Sequence, residues 1–231
     1  RKDYKGKNMI NIALLVCGRF SFTKQTINSF ITLNPEVKNY RWLVMDNLPG
    51  EASNKEYIES LNLPNLTYLS SNKNIGIARA TSVLMELAQA DQDKYPYTLY
   101  LQNDWECLKS DFIEPCIKVL TIYPNAYIKL STKENWAVLH GVTNKPQVPS
   151  KQPIKTIGIY DFHLFQHGHF SMNPYIIKSN ILHLIFPATG EKYTQENFYN
   201  NNLLRIDILP SQAPFNHIGN FEINRTKGWI R

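Results

Sequence analysis

Short apolar runs that favour strands alternate along this chain with longer segments of helical period, about every 30 residues. The apolar runs occupy residues 9–17, 41–46, 65–70, 97–102 and 126–131, and the helical segments occupy 21–33, 54–61, 75–90 and 111–123. Strands that lack polar alternation are typical of a sheet covered by helices on both faces. The pattern therefore predicts an α/β fold with a mostly parallel sheet and right-handed βαβ crossovers.

The ends of several elements can be predicted as well. A hydroxyl side chain that can cap a helix follows the first strand, so we predict that the first helix begins after Ser21 or Thr23. Residues 141–157 are rich in Pro and Lys without periodicity and predict a long loop. Beyond this loop we predict helices around 174–184 and 194–203 and a short strand at 204–209, all within a single domain over residues 1–231.

Composition narrows the class of protein. Hydrophobic residues make up 43% of the chain and charged residues 19%, which is ordinary for a globular domain. Cys17, Cys107 and Cys116 form no CxxC pair and are odd in number, so we expect a reducing, cytoplasmic location. No apolar run reaches the length of about 18 residues that a membrane span needs, so we expect no membrane segment.

Polar side chains gather where two of the predicted strands end. Asp46 ends the second strand, and the fourth strand ends in QNDWE, with Asp104 and Glu106 one residue apart. The carboxyl ends of parallel strands are where ligands bind in α/β folds, and neighbouring carboxylates favour a divalent cation. We therefore predict Asp104 and Glu106 as metal ligands and Asp46 as a ribose or base contact, although Asp46 in this position can also form an Asx turn.

Cations and a helix start add a phosphate site to the same edge. The loop NKNIGIARA opens a helix and carries Lys73 and Arg79, and Arg19 follows the first strand. A helix N-terminus with nearby cations binds phosphate readily. Gln102 and Asn103 can hydrogen-bond ribose or sugar hydroxyls. Together these residues predict a site for a nucleotide diphosphate and a divalent ion.

The order of these segments resembles that of GT-A fold nucleotide-sugar glycosyltransferases of the broad family 2 type. The likeness covers roughly residues 9–220 and rests on CGRFSFTKQTINSF, RWLVMDN, NKNIGIARA and LYLQNDWE, followed by FSMNP, QENFYNNN and FNHIG. It implies a single GT-A domain with a nucleotide-sugar half at 1–135 and an acceptor and catalytic half at 136–231. It also implies a hexosyl- or deoxyhexosyltransferase, with a UDP- or GDP-linked donor and a glycan or other hydroxyl acceptor.

The resemblance further implies metal-assisted, inverting transfer. His217 would be a metal ligand beside Asp104, and an imidazole ligand favours Mn²⁺ over Mg²⁺. Glu196 would be the general base, with Asp161 as the second choice.

Other functions fit the sequence less well, but one stays open. The family carries an acid where this chain has Gln102, which favours a catalytically degenerate module that binds glycan or nucleotide without turnover. A nucleotidyltransferase would carry a Gly-rich loop after the first strand, and CGRFSFT has a single Gly. The net charge of +6 comes from dispersed lysines, so we expect no nucleic-acid partner.

Overall fold

The computed structural model describes residues 10–48, 52–131, 153–165, 170–209 and 211–218. Within these ranges the α-helices are α1 (Phe20–Leu33), α2 (Ala52–Ser60), α3 (Ile77–Ala90), α4 (Ile113–Ile122) and α5 (Glu191–Asn200). Two 3₁₀ helices span Pro35–Asn39 and Ser179–Leu184. None of the helices in these ranges is long and apolar enough to cross a membrane.

Eleven strands accompany these helices in the described ranges. They are β1 (Ile10–Val16), β2 (Arg41–Asp46), β3 (Leu66–Ser70), β4 (Tyr97–Gln102), β5 (Trp105–Cys107), β6 (Ala126–Lys129), β7 (Lys155–Ile157), β8 (Tyr160–Leu164), β9 (Tyr175–Lys178), β10 (Leu204–Ile208) and β11 (Phe215–His217).

Nine of the strands form one sheet in the order β3-β2-β1-β4-β9-β6-β10-β8-β7, and β5 and β11 form a small second sheet. The strands β3, β2, β1 and β4 are parallel neighbours, as are β6 and β10, while β9 and β8 run against them. The structure thus confirms the predicted mostly parallel α/β sheet flanked by helices.

Both faces of the central sheet are covered, which explains why its strands lack polar alternation. Along β1, Ile12 and Leu14 pack into one hydrophobic cluster with residues of α1, α2 and α4. Ala13 and Leu15 pack into the other cluster, with residues of α3 and α5. All four side chains are buried, so apolar residues suit both faces of the strand, and its one polar residue, Asn11, is buried with hydrogen bonds to Ala88 and Thr98.

Several predicted boundaries are wrong. Residues 174–184 form β9 and a 3₁₀ helix instead of an α-helix, because this segment fills the gap between β4 and β6. The last helix begins at residue 191, three residues before the prediction. Residues 155–157, predicted as part of a loop, form β7, whereas 141–152 lie outside the described residues.

The first helix also begins earlier than predicted, at Phe20 instead of after Ser21 or Thr23. Arg19 precedes it in a left-handed conformation, with no side-chain cap. The hydroxyl of Thr23 accepts a hydrogen bond from Asn103. Tertiary contact, and not a local cap, therefore determines where this helix begins.

Candidate active site

The ends of β1, β2 and β4 come out at one edge of the sheet because these strands are parallel neighbours. Val16 pairs with Asp46, and Leu15 pairs with Gln102. The loops after these strands therefore begin side by side. Their polar side chains reach the same region, at the carboxyl edge where ligands bind in α/β folds.

A strained turn joins β1 to α1 and carries Arg19. Gly18 and Arg19 both have left-handed backbone, with φ of 56° and 54°. This conformation is easy for Gly and costs free energy for a residue with a Cβ atom. Asn103 stabilises the turn, because its Nδ2 donates to the Gly18 carbonyl at 2.8 Å and to Thr23 Oγ1 at 2.9 Å. Backbone strain that surrounding contacts maintain is typical of functional sites.

The Asp104 carboxylate lies between Arg19 and His217. Arg19 Nη2 is 3.0 Å from Asp104 Oδ2, and His217 Nε2 is 3.4 Å from the same oxygen. The other oxygen, Asp104 Oδ1, is buried and has no hydrogen-bond partner among the residues that the structure describes. The carboxylate therefore retains an unused acceptor on its second oxygen.

Opposing effects set the pKa of Asp104. Burial raises the pKa of this carboxyl group, but the hydrogen bond from His217 and the positive charge of Arg19 lower it by more. The net result is a pKa below the ordinary value of 3.8. Asp104 is therefore an anion at neutral pH, which is the form that binds a cation.

Two short strands bring His217 to Asp104. Antiparallel pairing of β11 with β5 places His217 opposite Trp105, and the N–H of Ile218 donates to the Asp104 carbonyl at 2.9 Å. The rings of Trp105 and His217 contact each other edge to face, with centroids 4.9 Å apart. This pairing joins two residues that are distant in the sequence.

An asparagine pair holds the loop that opens α3. Asn47 Nδ2 donates to Asn74 Oδ1 at 3.0 Å, and Asn47 Oδ1 accepts from the Ile75 N–H at 3.0 Å. Asn74 Oδ1 also accepts from the N–H of Gly76, whose φ of 84° requires a residue without a Cβ atom. The start of α3 is thereby fixed beside the end of β2.

Asp46 is buried next to this loop and uses both carboxylate oxygens. Oδ1 accepts from the Leu48 N–H at 3.2 Å, which is an Asx turn, and Oδ2 accepts from the Tyr68 hydroxyl at 2.8 Å. Burial and this bond raise the pKa of Tyr68, so its hydroxyl stays a donor.

Lys73 and Arg79 are both exposed: Lys73 lies on the loop that opens α3, and Arg79 lies in the first turn of α3. Nucleotide contacts for Asp46, Lys73 and Arg79 stay predictions.

Gln102 and Asn103 make contacts that position the surrounding loops. Gln102 Nε2 donates to the Tyr100 hydroxyl at 3.1 Å and to the Met172 carbonyl at 2.9 Å. Gln102 thus connects the segment 170–174 to the end of β4 through Met172, and Asn103 connects the turn after β1 to the same end through Gly18. Their predicted contacts with the nucleotide sugar are not tested by these bonds.

Glu106 and Glu196 have partners outside the cluster of Arg19, Asp104 and His217. Glu106 Oε1 accepts from Gln25 Nε2 of α1 at 3.1 Å. Glu196 is exposed in the second turn of α5, and its Oε1 lies 3.6 Å from Lys192 Nζ on the same helix. The structure therefore does not bring these two acids into direct contact with Asp104.

Asp161 also uses both carboxylate oxygens in local contacts. Oδ1 accepts from Thr156 Oγ1 at 2.7 Å across the β7–β8 pair, and Oδ2 accepts from Gln212 Nε2 at 3.2 Å. These hydrogen bonds lower the pKa of Asp161. A lowered pKa makes a carboxylate a weaker base, which disfavours Asp161 as the predicted general base.

Asn47 and Tyr68 shape the site, although neither was predicted as a site residue. Asn47 directly follows Asp46 at the end of β2, so a polar pair at a strand end is a signal that could have found it. Tyr68 lies inside β3, and only its pairing beside β2 brings its hydroxyl to Asp46. No local sequence signal predicts that contact.

Two groups of the cluster have the chemistry to hold a divalent cation. Asp104 Oδ1 is an unused carboxylate oxygen, and His217 supplies an imidazole nitrogen, which are both ordinary ligands of Mn²⁺. The described residues contain no group of three or more His, Cys, Asp or Glu side chains that could hold a metal ion. The remaining ligands would have to be phosphate oxygens and water.

Solved structures with a similar fold include two glycosyltransferases. The crystal structure of GalNAc-T7 with UDP, GalNAc and Mn²⁺ matches 94% of this chain with a TM-score of 0.61 and 11% identity. S. aureus TarS (residues 1–349) in complex with UDP-GlcNAc matches 96% of the chain with a TM-score of 0.59 and 12% identity. Both have the GT-A fold. This chain has a GT-A fold.

The GT-A fold confirms the architecture that the sequence motifs implied. The chain spans 45% of the length of the GalNAc-T7 structure and 62% of that of TarS. At identities this low, the likeness establishes the fold alone. No family model and no curated protein matches the sequence.

Proposed function

We propose that this chain is a glycosyltransferase that moves a hexosyl or deoxyhexosyl group from a nucleotide diphosphate sugar to a glycan or other hydroxyl acceptor. The observation that carries the proposal is Asp104, a buried carboxylate at the carboxyl edge of a GT-A sheet, with one oxygen unused. Asp104 lies beside His217 and Arg19. An ionised carboxylate and two cationic or imidazole groups at this edge suit a diphosphate and its counter-ion.

The donor would lie across the loops after β1, β2 and β3. We assign the nucleoside to the region of Asp46, and the diphosphate to the start of α3, where Lys73 and Arg79 supply positive charge. Both solved relatives were crystallised with UDP or a UDP-sugar, which favours a UDP-linked donor.

Asp104 and His217 would hold Mn²⁺ or Mg²⁺ together with the donor. Such a cation neutralises the charge that develops on a leaving diphosphate. The contribution of the chain is to keep Asp104 ionised and fixed by Arg19, His217 and the backbone bond to Ile218. GalNAc-T7 was crystallised with Mn²⁺, which supports manganese as the ion to test first.

Glu196 would accept the proton of the acceptor hydroxyl. Its side chain is exposed in the second turn of α5, on the acceptor half, and its ion pair with Lys192 is a weak surface contact. A base that activates a hydroxyl for a single in-line displacement gives inversion at the sugar. Base catalysis of this kind is worth about 100-fold to 10,000-fold in rate.

Thermal unfolding with UDP-, GDP-, CMP- and dTDP-sugars, each with and without Mn²⁺, tests the proposal. Ligand at a hundredfold excess over its Kd should stabilise the folded chain by about 2.7 kcal/mol. We expect a shift with one nucleotide that depends on Mn²⁺ and that Asp104→Asn removes. The matched control is Asp91→Asn, since Asp91 also pairs with an arginine, Arg41, but is exposed and far from the site.

A binding module without turnover is the second candidate. Gln102 replaces an acid of the family pattern, and its amide is engaged with Tyr100 and Met172. Slow hydrolysis of the donor in Mn²⁺ distinguishes the two functions. Donor binding without any hydrolysis or transfer would favour the binding module. No binding of any donor would contradict the transferase and leave a module that binds glycan.

A further inference from the structure

Two arginine–aspartate pairs in this chain differ in how completely they are formed. In the pair of Arg205 and Asp207, Nε and Nη2 meet the two carboxylate oxygens at 2.7 and 2.6 Å, and both residues are buried. In the pair of Arg19 and Asp104, one nitrogen meets one oxygen, at 3.0 Å. Bidentate pairs are the strong form of this contact. Arg205 and Asp207 therefore have the geometry of a permanent structural pair, and Arg19 and Asp104 do not.

The incomplete pair leaves one buried polar atom unused on each partner. Arg19 Nε and Asp104 Oδ1 are both buried, and neither has a hydrogen-bond partner within the part of the chain that the structure describes. Burying a donor or an acceptor without a partner costs free energy. The two atoms are of opposite character, so the donor suits an anion and the acceptor suits a cation.

The position of Arg19 is itself strained. Arg19 has a φ of 54° at the start of α1, and the bonds of Asn103 to Gly18 and Thr23 maintain the turn. The Arg19 side chain is about one quarter exposed, whereas the Asp104 side chain is mostly buried. The arginine can therefore move out toward solvent more readily than the aspartate can.

We propose that Arg19 is an exchangeable counter-ion of Asp104, and that a divalent cation takes its place at the carboxylate when the cation and a diphosphate bind together. In the donor-free protein the guanidinium neutralises a buried carboxylate, which would otherwise be costly. When the donor enters, Asp104 exchanges the guanidinium for the cation, and the freed guanidinium turns to the diphosphate. This inference rests on the proposed function, because it requires a diphosphate donor.

The exchange of Arg19 also affects how tightly a cation binds when no nucleotide is present. Without a nucleotide, a cation at Asp104 Oδ1 is repelled by the guanidinium on the neighbouring Oδ2, and displacing Arg19 leaves that guanidinium without a new anion. Arg19 should therefore weaken the binding of free Mn²⁺ and couple it to the binding of the nucleotide. Removal of the charge at residue 19 should relieve that competition.

Binding of Mn²⁺ to the full chain without nucleotide tests this competition, with free Mn²⁺ measured by electron paramagnetic resonance. We expect Arg19→Gln to bind Mn²⁺ about tenfold more tightly than the wild type, which corresponds to about 1.4 kcal/mol. Arg41→Gln is the matched control, because Arg41 makes a similar single contact with Asp91, at 2.8 Å, at the other end of β2. It should leave the Mn²⁺ affinity unchanged, and Asp104→Asn should abolish the binding.

A second variant, Arg19→Asn, distinguishes a change in Mn²⁺ affinity from a folding defect. Asn tolerates left-handed backbone better than Gln, so Arg19→Asn should fold at least as well as Arg19→Gln and should also bind Mn²⁺ more tightly than the wild type. If neither variant binds Mn²⁺ more tightly than the wild type, or if no variant binds it, the exchange is wrong.

Nucleotide binding separates this outcome from failure of the proposed function. UDP binding in the presence of Mn²⁺ should weaken in Arg19→Gln, because the diphosphate loses a cation. If the wild type binds no nucleotide sugar, the proposed function fails whatever the Mn²⁺ result. If it binds one, and UDP affinity is the same in Arg19→Gln, the guanidinium does not turn to the diphosphate and the proposal is wrong.

Discussion

Replacing Asn103 with alanine removes the side chain that fixes the turn after β1 to the end of β4. Asn103 is 2% exposed, and its Nδ2 donates to the Gly18 carbonyl at 2.8 Å and to Thr23 Oγ1 at 2.9 Å. The Gly18 carbonyl retains a longer hydrogen bond from Asn54 Nδ2, at 3.4 Å. The substitution should destabilise the fold and also loosen Arg19.

The magnitude follows from these contacts. Each lost hydrogen bond contributes about 1 kcal/mol net, and leaving the buried Gly18 and Thr23 oxygens less fully bonded adds about 1 kcal/mol more. The expected loss in free energy of unfolding is therefore about 3 kcal/mol. For a domain of this size, that lowers Tm by about 6–12 °C.

Urea unfolding followed by circular dichroism measures this loss directly. Asn125→Ala is the control, because Asn125 is exposed and donates one long bond, at 3.4 Å, to the Asn202 carbonyl. It should change the free energy of unfolding by less than about 0.5 kcal/mol. Both variants should keep the wild-type m value, because the folded structure exposes the same surface.

A loss below about 1 kcal/mol for Asn103→Ala, with the m value unchanged, would refute this reasoning. It would mean that the turn keeps its conformation without the amide. In that case the left-handed backbone of Gly18 and Arg19 would have to be determined by the chain itself and not by the end of β4.

Three further predictions concern charged side chains. The pKa of Asp104 is lowered in the folded state, so its charge stabilises the protein above about pH 4, and that stabilisation disappears as the pH falls below the folded pKa. Unfolding of the wild type and of Asp104→Asn from about pH 7 to about pH 3 measures this contribution. A difference in stability between the two proteins that does not change with pH would contradict the prediction. Asp207→Ala should lower the free energy of unfolding by about 3–5 kcal/mol, because it leaves buried Arg205 without its carboxylate. Glu114→Ala removes one partner of an exposed helix pair and should lower it by less than about 0.5 kcal/mol. Equal losses for the two variants in urea unfolding would be inconsistent with this prediction. Under the proposed function, Glu196→Gln should lower sugar transfer by about 100-fold or more and keep donor affinity, as steady-state kinetics and thermal shifts would record, and unchanged transfer would exclude Glu196 as the base.

Strands buried on both faces were the most predictable part of the fold. The predicted ranges 41–46 and 97–102 match β2 and β4 residue for residue. These strands lie inside the sheet under helices, so most of their positions are buried and apolar, and polar residues such as Arg41, Asp46 and Gln102 stand at their ends. In such strands, a run of mostly apolar residues in the sequence coincides with the run of buried residues in the structure.

The segment 174–184 could not be predicted in the same way. Its apolar residues fit a helical period, but Ile176 and Ile177 pair with β4 and β6 as part of β9. Those partner strands lie far away in the sequence, and the gap between them exists only in the assembled sheet. Local periodicity cannot distinguish a helix from a strand that fills such a gap.

The sequence by itself determined the alternation of strands and helices, and hence which loops share the carboxyl edge with Asp46 and Asp104. Only the tertiary structure decided how these side chains are used. Pairing of β5 with β11 brings His217 to Asp104, and the turn after β1 brings Arg19 to the same carboxylate. The physical reason is that hydrophobic periodicity encodes local burial, whereas hydrogen bonds and ion pairs between distant segments depend on geometry that exists only after the sheet has formed.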